Sequence, residues 1–302
     1  MPRILLSLLA ALMLGGCATR ETVASDPRVL RVLLLGGQSN MQGLGKVAQL
    51  TPAQAEPLRD VRFWNGEAFE ALDPRATPLS FRPGEFGPEI GLLRQLRKGG
   101  DDAPLAVIKH FVSGQGLDAG WDGDDWRGET PGPGRRTFHP GEGADDPNIG
   151  LHYQSWLARV RAGLDALRKE GLAPEVIGVV WVQGERDAIQ PASARRYDAN
   201  LLRLRERLAA DLALPSPPAW AFARVLPAAA GMPRFAARAE LLAAMDRLDD
   251  GNPRPLNPGV RGARTDGFGT LPDKVHFDTK GQLQLGAALA DALVKAQDEG
   301  GM

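Results

Sequence analysis

Residues 29–41 read Val29-Leu30-Arg31-Val32-Leu33-Leu34-Leu35-Gly36-Gly37-Gln38-Ser39-Asn40-Met41. The near-continuous valine and leucine run up to Leu35 is the pattern of a strand buried on both faces, as in a parallel sheet, and the glycine pair ends it. Such a strand delivers Ser39 to a turn at its carboxyl end, where open α/β sheets place their ligand sites. Glycine there lets the backbone turn tightly and leaves space beside the hydroxyl. A serine in this position also suits the plain task of capping the helix that follows.

Downstream, strand and helix signals alternate. Val61–Leu72 has the alternation of a short hairpin, and Pro88–Lys98 carries helical spacing at Ile90, Leu93 and Leu96. Leu105–Val112 reads as a strand, and Leu157, Val160, Leu164 and Leu167 mark an amphipathic helix from about residue 150 to 170. Val176–Val182 and Trp220–Val225 read as further strands. Between them Tyr197, Leu201, Leu204, Leu208 and Leu212 mark a helix, and a last helix covers roughly Gly281–Ala296. Strands separated by helices predict the α/β class: a three-layer α/β/α domain over residues 29–298 around a mostly parallel sheet. Residues 114–149, crowded with Gly, Asp and Pro, lack either period and are expected to form an irregular insertion over the site.

With 302 residues, 43% hydrophobic and 24% charged, the chain can bury one ordinary core. Its 36 basic and 37 acidic residues leave a formal charge of -1, so no long-range field gathers nucleic acid or an anionic membrane surface. At the start, Arg3 precedes an apolar run from Ile4 to Leu14, the pattern of a secretory signal over residues 1–17 and too short to span a bilayer. Leu14-Gly15-Gly16-Cys17 resembles the lipobox of bacterial lipoproteins. That resemblance implies lipidation of Cys17, a polar tether over residues 18–28, export, and attachment to the cell envelope through lipid alone; Ala18 favours outer-membrane sorting. A plain cleaved signal is the alternative. Cys17 is the single cysteine, which excludes an intramolecular disulfide and a thiolate metal cluster. Oligomeric state leaves no trace in the sequence.

A serine hydroxyl becomes a useful nucleophile only when an imidazole takes its proton. Of four histidines, His276 stands apart, because Asp273-Lys274-Val275-His276 sets a carboxylate three residues before it. In a helical turn, positions three apart lie about 5–6 Å apart on one side. The carboxylate can then fix the imidazole tautomer and stabilise the imidazolium. Asp-x-x-His also occurs as a helix cap or a metal pair. Gln183, in Trp181-Val182-Gln183-Gly184-Glu185, leaves another strand end with an amide able to donate to an oxyanion, and Gly114, after Ser113, could offer a bare N–H for the same task.

Serine, glycine, amide and Asp-x-x-His in this order resemble the SGNH hydrolases. More narrowly, Gly37-Gln38-Ser39-Asn40-Met41, Phe86-Gly87-Pro88-Glu89, Gln183-Gly184-Glu185 with Asp187, and Asp273 with His276 resemble the branch of sialate O-acetylesterases and acetylxylan esterases of the sixth carbohydrate esterase family. The resemblance implies Ser39 as nucleophile, His276 as general base and acid, Asp273 as its orienter, and an oxyanion hole from the Ser39 and Gly114 N–H groups and the Gln183 amide. Gln38, Asn40 and Glu185 are expected to support the site. The pattern is broken where Val182 replaces a frequent histidine, Arg186 a common serine and Gln115 a usual second glycine.

The expected reaction is removal of acetyl groups from sugar hydroxyls through an acyl-enzyme, on an acetylated saccharide, with no metal or cofactor required. Trp121, Trp126, Phe138 and Tyr153 offer aromatic faces for sugar rings, or serve ordinary packing. Two other readings stand beside this one: a lipase-like or thioesterase-like hydrolase of envelope acyl esters, and a non-catalytic glycan-binding surface lipoprotein.

Overall fold

The computed structural model describes residues 28–100, 102–249, 251 and 256–300. The signal, Cys17 and nearly all of the tether lie outside these residues. Seven strands form one sheet: β1 (Arg28–Gly37), β2 (Leu58–Trp64), β3 (Phe69–Leu72), β4 (Leu105–Phe111), β5 (Leu172–Val182), β6 (Trp220–Ala223) and β7 (Val260–Ala263). Their order is β7-β6-β5-β1-β4-β2-β3, parallel throughout except for the β2–β3 hairpin at one edge. β1 is central because it is apolar on both faces: Val32 to Leu35 are fully buried.

The helices are α1 (Ser39–Gln42), α2 (Glu89–Lys98), α3 (Leu151–Lys169), α4 (Pro191–Arg195), α5 (Tyr197–Asp211), α6 (Arg238–Leu248) and α7 (Thr279–Gly300). α7 packs on β5, β6 and β7 with α2 beside it, while α3 covers β4 and β5 from the other face in a layer with α5 and α6. The three-layer α/β/α expectation holds. Two glycines set the α2–α7 contact: a Cβ on Gly91 would lie 2.2 Å from the Leu283 carbonyl oxygen, and one on Gly286 2.1 Å from that of Pro88. Opposite, Trp156 of α3 meets Trp181 and Trp220 with ring centroids 5.3 and 6.4 Å away.

Three elements, α4, α6 and β7, go beyond the sequence reading. β7 has four residues with a glycine among them, too short for a visible period. α6 carries its buried side chains at Leu241, Ala244, Met245 and Leu248, a stripe muted by alanine. β5 also starts earlier than Val176, at Leu172, because pairing with β1 carries the strand through Pro174. Residues 114–149 are irregular as expected, apart from a two-residue ribbon between Trp121–Asp122 and Asp125–Trp126. Among the described residues no helix is long and apolar enough to cross a membrane.

A buried ion pair ties the sheet to the turn after β1. Lys109 of β4 donates to Glu89 of α2 (2.8 Å) and to the carbonyls of Leu79 (2.6 Å) and Gln42 (3.2 Å), with both charged side chains sealed from solvent. Burial depresses the Lys109 ammonium, and only partly does Glu89 restore it. Removing one partner of a buried pair leaves the other charge uncompensated. Lys109→Ala is therefore expected to cost about 3–5 kcal/mol in urea unfolding. Arg168→Ala, which breaks the exposed pair with Asp165, should cost at most about 0.5 kcal/mol.

Candidate active site

The turn after β1 is forced by close packing. Gly37 has φ +151°, and a Cβ there would lie 2.1 Å from the Val182 carbonyl oxygen, so only glycine fits. That carbonyl accepts from the Gln38 N–H at 2.9 Å, and the Gln38 carbonyl takes the first helical bond, from the Gln42 N–H at 2.8 Å. Ser39 is thus the first residue of α1, with its own N–H outside the helical ladder. Gln38 contributes through its backbone; its side chain is buried, and Oε1 has no partner among the described residues.

Ser39, His276 and Asp273 converge. His276 Nε2 lies 2.9 Å from Ser39 Oγ, and His276 Nδ1 lies 2.6 Å from Asp273 Oδ2. Asp273 Oδ1 also accepts the N–H groups of Val275 (2.9 Å) and His276 (3.0 Å), which closes the turn. Burial works against the Asp273 carboxylate, but hydrogen bonds from the His276 ring and these two N–H groups outweigh it and hold it below the ordinary aspartate range. An ionised Asp273 only accepts, so the proton sits on Nδ1 and Nε2 is left to accept from the serine hydroxyl. This is the geometry that general-base activation of a hydroxyl needs. The other three histidines serve elsewhere: His110 pairs with Ser155 (3.1 Å), His152 with Gln115 (3.0 Å), and His139 is buried in the insertion.

Asn40 holds the convergence together. Its side-chain Nδ2 donates to Glu185 (2.6 Å) and to the Val275 carbonyl (3.0 Å), and its Oδ1 accepts the Phe277 N–H (3.0 Å). Asn40 and Glu185 thus join the turn after β1 to residues 275–277 from beneath the site. Burial pushes the Glu185 carboxyl above the ordinary glutamate range, against the pull of the Asn40 amide.

Gln183 differs from its expected role. Its side chain is fully buried, and both amide hydrogens are committed, to Asp187 Oδ2 (2.5 Å) and the Gln115 carbonyl (3.0 Å). Nothing remains to donate to an oxyanion. Gly114 fits better: it adopts φ +71°, and its N–H has no acceptor among the described residues. Its loop lies against the nucleophile turn, with Val112 N–H on the Gly37 carbonyl (3.1 Å) and Ser113 Oγ on Gln42 Oε1 (2.6 Å).

The expected sugar-stacking aromatics are largely packed away. Tyr153 is fully buried with its hydroxyl on Asp211 (2.6 Å), and Phe138 is sealed against Trp181. Trp121 is 1% exposed, with Nε1 on Ser193 (3.0 Å) and its ring edge-on to half-buried Trp126. The polar tips of Tyr153 and Trp121 both have internal partners, which hold these rings inward.

Asp187 and Arg186 are the residues whose roles the sequence did not disclose. Buried Asp187 gathers Gln183, Ser193 and the N–H groups of Leu117 (3.0 Å) and Asp118 (3.2 Å). Arg186 donates to the Gly114 carbonyl (2.6 Å), pairs with Asp124, and lies over the Trp121 ring at 5.4 Å. The one available sign was a second carboxylate two residues after Glu185 at a strand end.

A family model described as carbohydrate esterase, sialic acid-specific acetylesterase, matches residues 29–295. Sequence comparison with curated proteins finds no match. Among solved structures the chain is similar to a protein of Arabidopsis thaliana, with TM-score 0.64 and 20% identity, covering 89% of this chain and 98% of that one. It is also similar to NanS, with TM-score 0.54 and 17% identity over 91% of this chain and 98% of the other. A carbohydrate acetylesterase from Xanthomonas citri matches with TM-score 0.51 and 18% identity over 87% of this chain and 56% of its own. At these identities the structural likeness is one of fold.

Two measurements probe the support of the site. Asn40→Ala removes three buried hydrogen bonds and frees residues 275–277, so turnover should fall on the order of 10²-fold, with a lower urea midpoint; wild-type values for both would contradict the bridging role. The raised Glu185 pKa makes the folded protein bind that proton more tightly than the unfolded chain. Its contribution is fully present below the unfolded value and is lost as pH rises through the folded one. Glu185→Gln, which keeps an acceptor for Asn40, should gain stability over the wild type as pH rises across that window; a pH-independent difference would contradict it.

Proposed function

The chain belongs to the carbohydrate esterase family of sialic acid-specific acetylesterases, and on that premise we propose that it is a serine-dependent O-acetylesterase that removes acetyl groups from sugar hydroxyls through an acyl-enzyme. The single observation that carries the reading is the continuous relay Ser39 Oγ, His276 Nε2, His276 Nδ1, Asp273 Oδ2, with links of 2.9 and 2.6 Å.

In this mechanism Ser39 Oγ attacks the acetyl carbonyl carbon while its proton passes to His276 Nε2, and Asp273 stabilises the imidazolium through Nδ1–H. Negative charge on the carbonyl oxygen is met by the N–H groups of Ser39 and Gly114. Collapse breaks the bond to the sugar oxygen, which takes the proton from His276 and departs as the free hydroxyl. Water then gives its proton to His276 and attacks the acetyl-serine, releasing acetate and restoring Ser39. Arg186, by holding the Gly114 carbonyl, keeps the oxyanion loop in place. The apolar run before Leu14-Gly15-Gly16-Cys17 supports attachment of this activity to the cell envelope through a lipid on Cys17.

Acetate release from acetylated xylan, O-acetylated sialic acid and acetylated peptidoglycan fragments identifies the substrate. On whichever is cleaved, Ser39→Ala and His276→Ala are each expected to lose at least about 10³-fold in turnover while unfolding as the wild type does. Turnover unchanged in Ser39→Ala would contradict the mechanism.

A further inference from the structure

Of the aromatic residues expected to meet sugar, Trp121, Phe138 and Tyr153 are buried and Trp126 is half-buried, yet one large aromatic side chain stands in solvent beside the nucleophile turn. Phe81 is 79% exposed, and the other large apolar side chains exposed among the described residues, Val29, Leu151, Leu256 and Val294, are aliphatic. We propose that Phe81 is the platform on which a sugar ring of the substrate stacks, which makes the preferred substrate an acetylated oligosaccharide or polysaccharide. The inference rests on the carbohydrate O-acetylesterase reading above.

Three observations carry it. First, Phe81 is held next to the nucleophile: the Gly43 N–H bonds to the Ser39 carbonyl (2.8 Å), and the Gly43 carbonyl accepts from Ser80 Oγ (2.9 Å), one residue before Phe81. Second, its loop is tied down on both sides. Lys109 grips the Leu79 carbonyl (2.6 Å), the Val47 N–H bonds to the Gly84 carbonyl (2.9 Å), and Lys46 pairs with Glu85 (2.5 Å). A rigid support presents an aromatic face to a ligand at little cost in conformational entropy. Third, a cleft of about 180 Å³ lies at the base of the same loop, lined by Pro78 together with Phe63, Lys109, His110, Phe111 and Arg159. The loop of Phe81 meets the nucleophile turn at Gly43, a full helical turn or about 5–6 Å from Ser39, which suits a ring next to the one that bears the reacting ester. Closeness to Ser39 favours substrate over a protein partner as the occupant.

The test compares wild type, Phe81→Ala and Phe81→Trp on an acetylated xylo-oligosaccharide, an acetylated xylose monosaccharide and 4-nitrophenyl acetate. Phe81→Ala should lose on the order of 10-fold in kcat/KM on the oligosaccharide, mainly through KM, and Phe81→Trp should restore it. Both variants should match wild type on the two small esters. An unchanged oligosaccharide rate, or an equal loss on all three substrates, would overturn the proposal. A wild type that hydrolyses 4-nitrophenyl acetate but frees acetate from neither saccharide would instead overturn the carbohydrate reading, and the platform with it.

Discussion

The site depends on one buried amide. Asn40 follows the nucleophile directly and bonds to Glu185 and Val275, which are 145 and 235 residues away in the chain. Its side chain joins the turn after the first strand, the loop after β5 and the turn that carries His276. The Asp273–His276 turn is closed by its own hydrogen bonds, and the Asn40 side chain joins it to Ser39 on both sides of His276, at Val275 and Phe277. The cost of burying the Glu185 carboxyl beneath the site is part of the same arrangement, since Asn40 answers only one of its oxygens and Glu185 Oε2 has no partner among the described residues.

A second set of buried groups shapes the surface around the nucleophile. Asp187 orders the start of the insertion through two backbone N–H groups, and Arg186 fixes the Gly114 carbonyl from the same loop. The Lys109–Glu89 pair fastens the far end of α1 and the loop of Phe81 at once. Polar groups sealed at the carboxyl edge of the sheet thus trade solvation for position. A site built on β1, β4 and β5 gains precision from the stiffness of paired strands, while its loops supply the functional side chains.

Much of this was legible in the amino-acid order, for identifiable reasons. β1 announces itself because burial on both faces removes every polar residue but Arg31 between Val29 and Leu35, and Asp273 and His276 are near enough in sequence for their pairing to be a local fact. Gln183 was misread because the fate of its amide depends on Asp187 and on the Gln115 carbonyl, a contact between separate loops. For Trp121 and Tyr153 the sequence leaves sugar stacking and packing both open, because composition places an aromatic in a segment without saying which way it points; Ser193 and Asp211 decide that. Phe81 attracted no notice, since exposure is invisible without the fold. β7 and α6 were missed because one is too short and the other too rich in alanine for periodicity to show.

The central claim is that three distant side chains make Ser39 an activated nucleophile. Intact-mass and peptide mapping after brief exposure to a serine-reactive organophosphonate tests it most directly, because only an activated serine reacts quickly. One adduct is expected, on Ser39, formed rapidly in the wild type and lost in His276→Ala. Labelling at another serine, or a His276→Ala protein that labels as fast as the wild type, would contradict it.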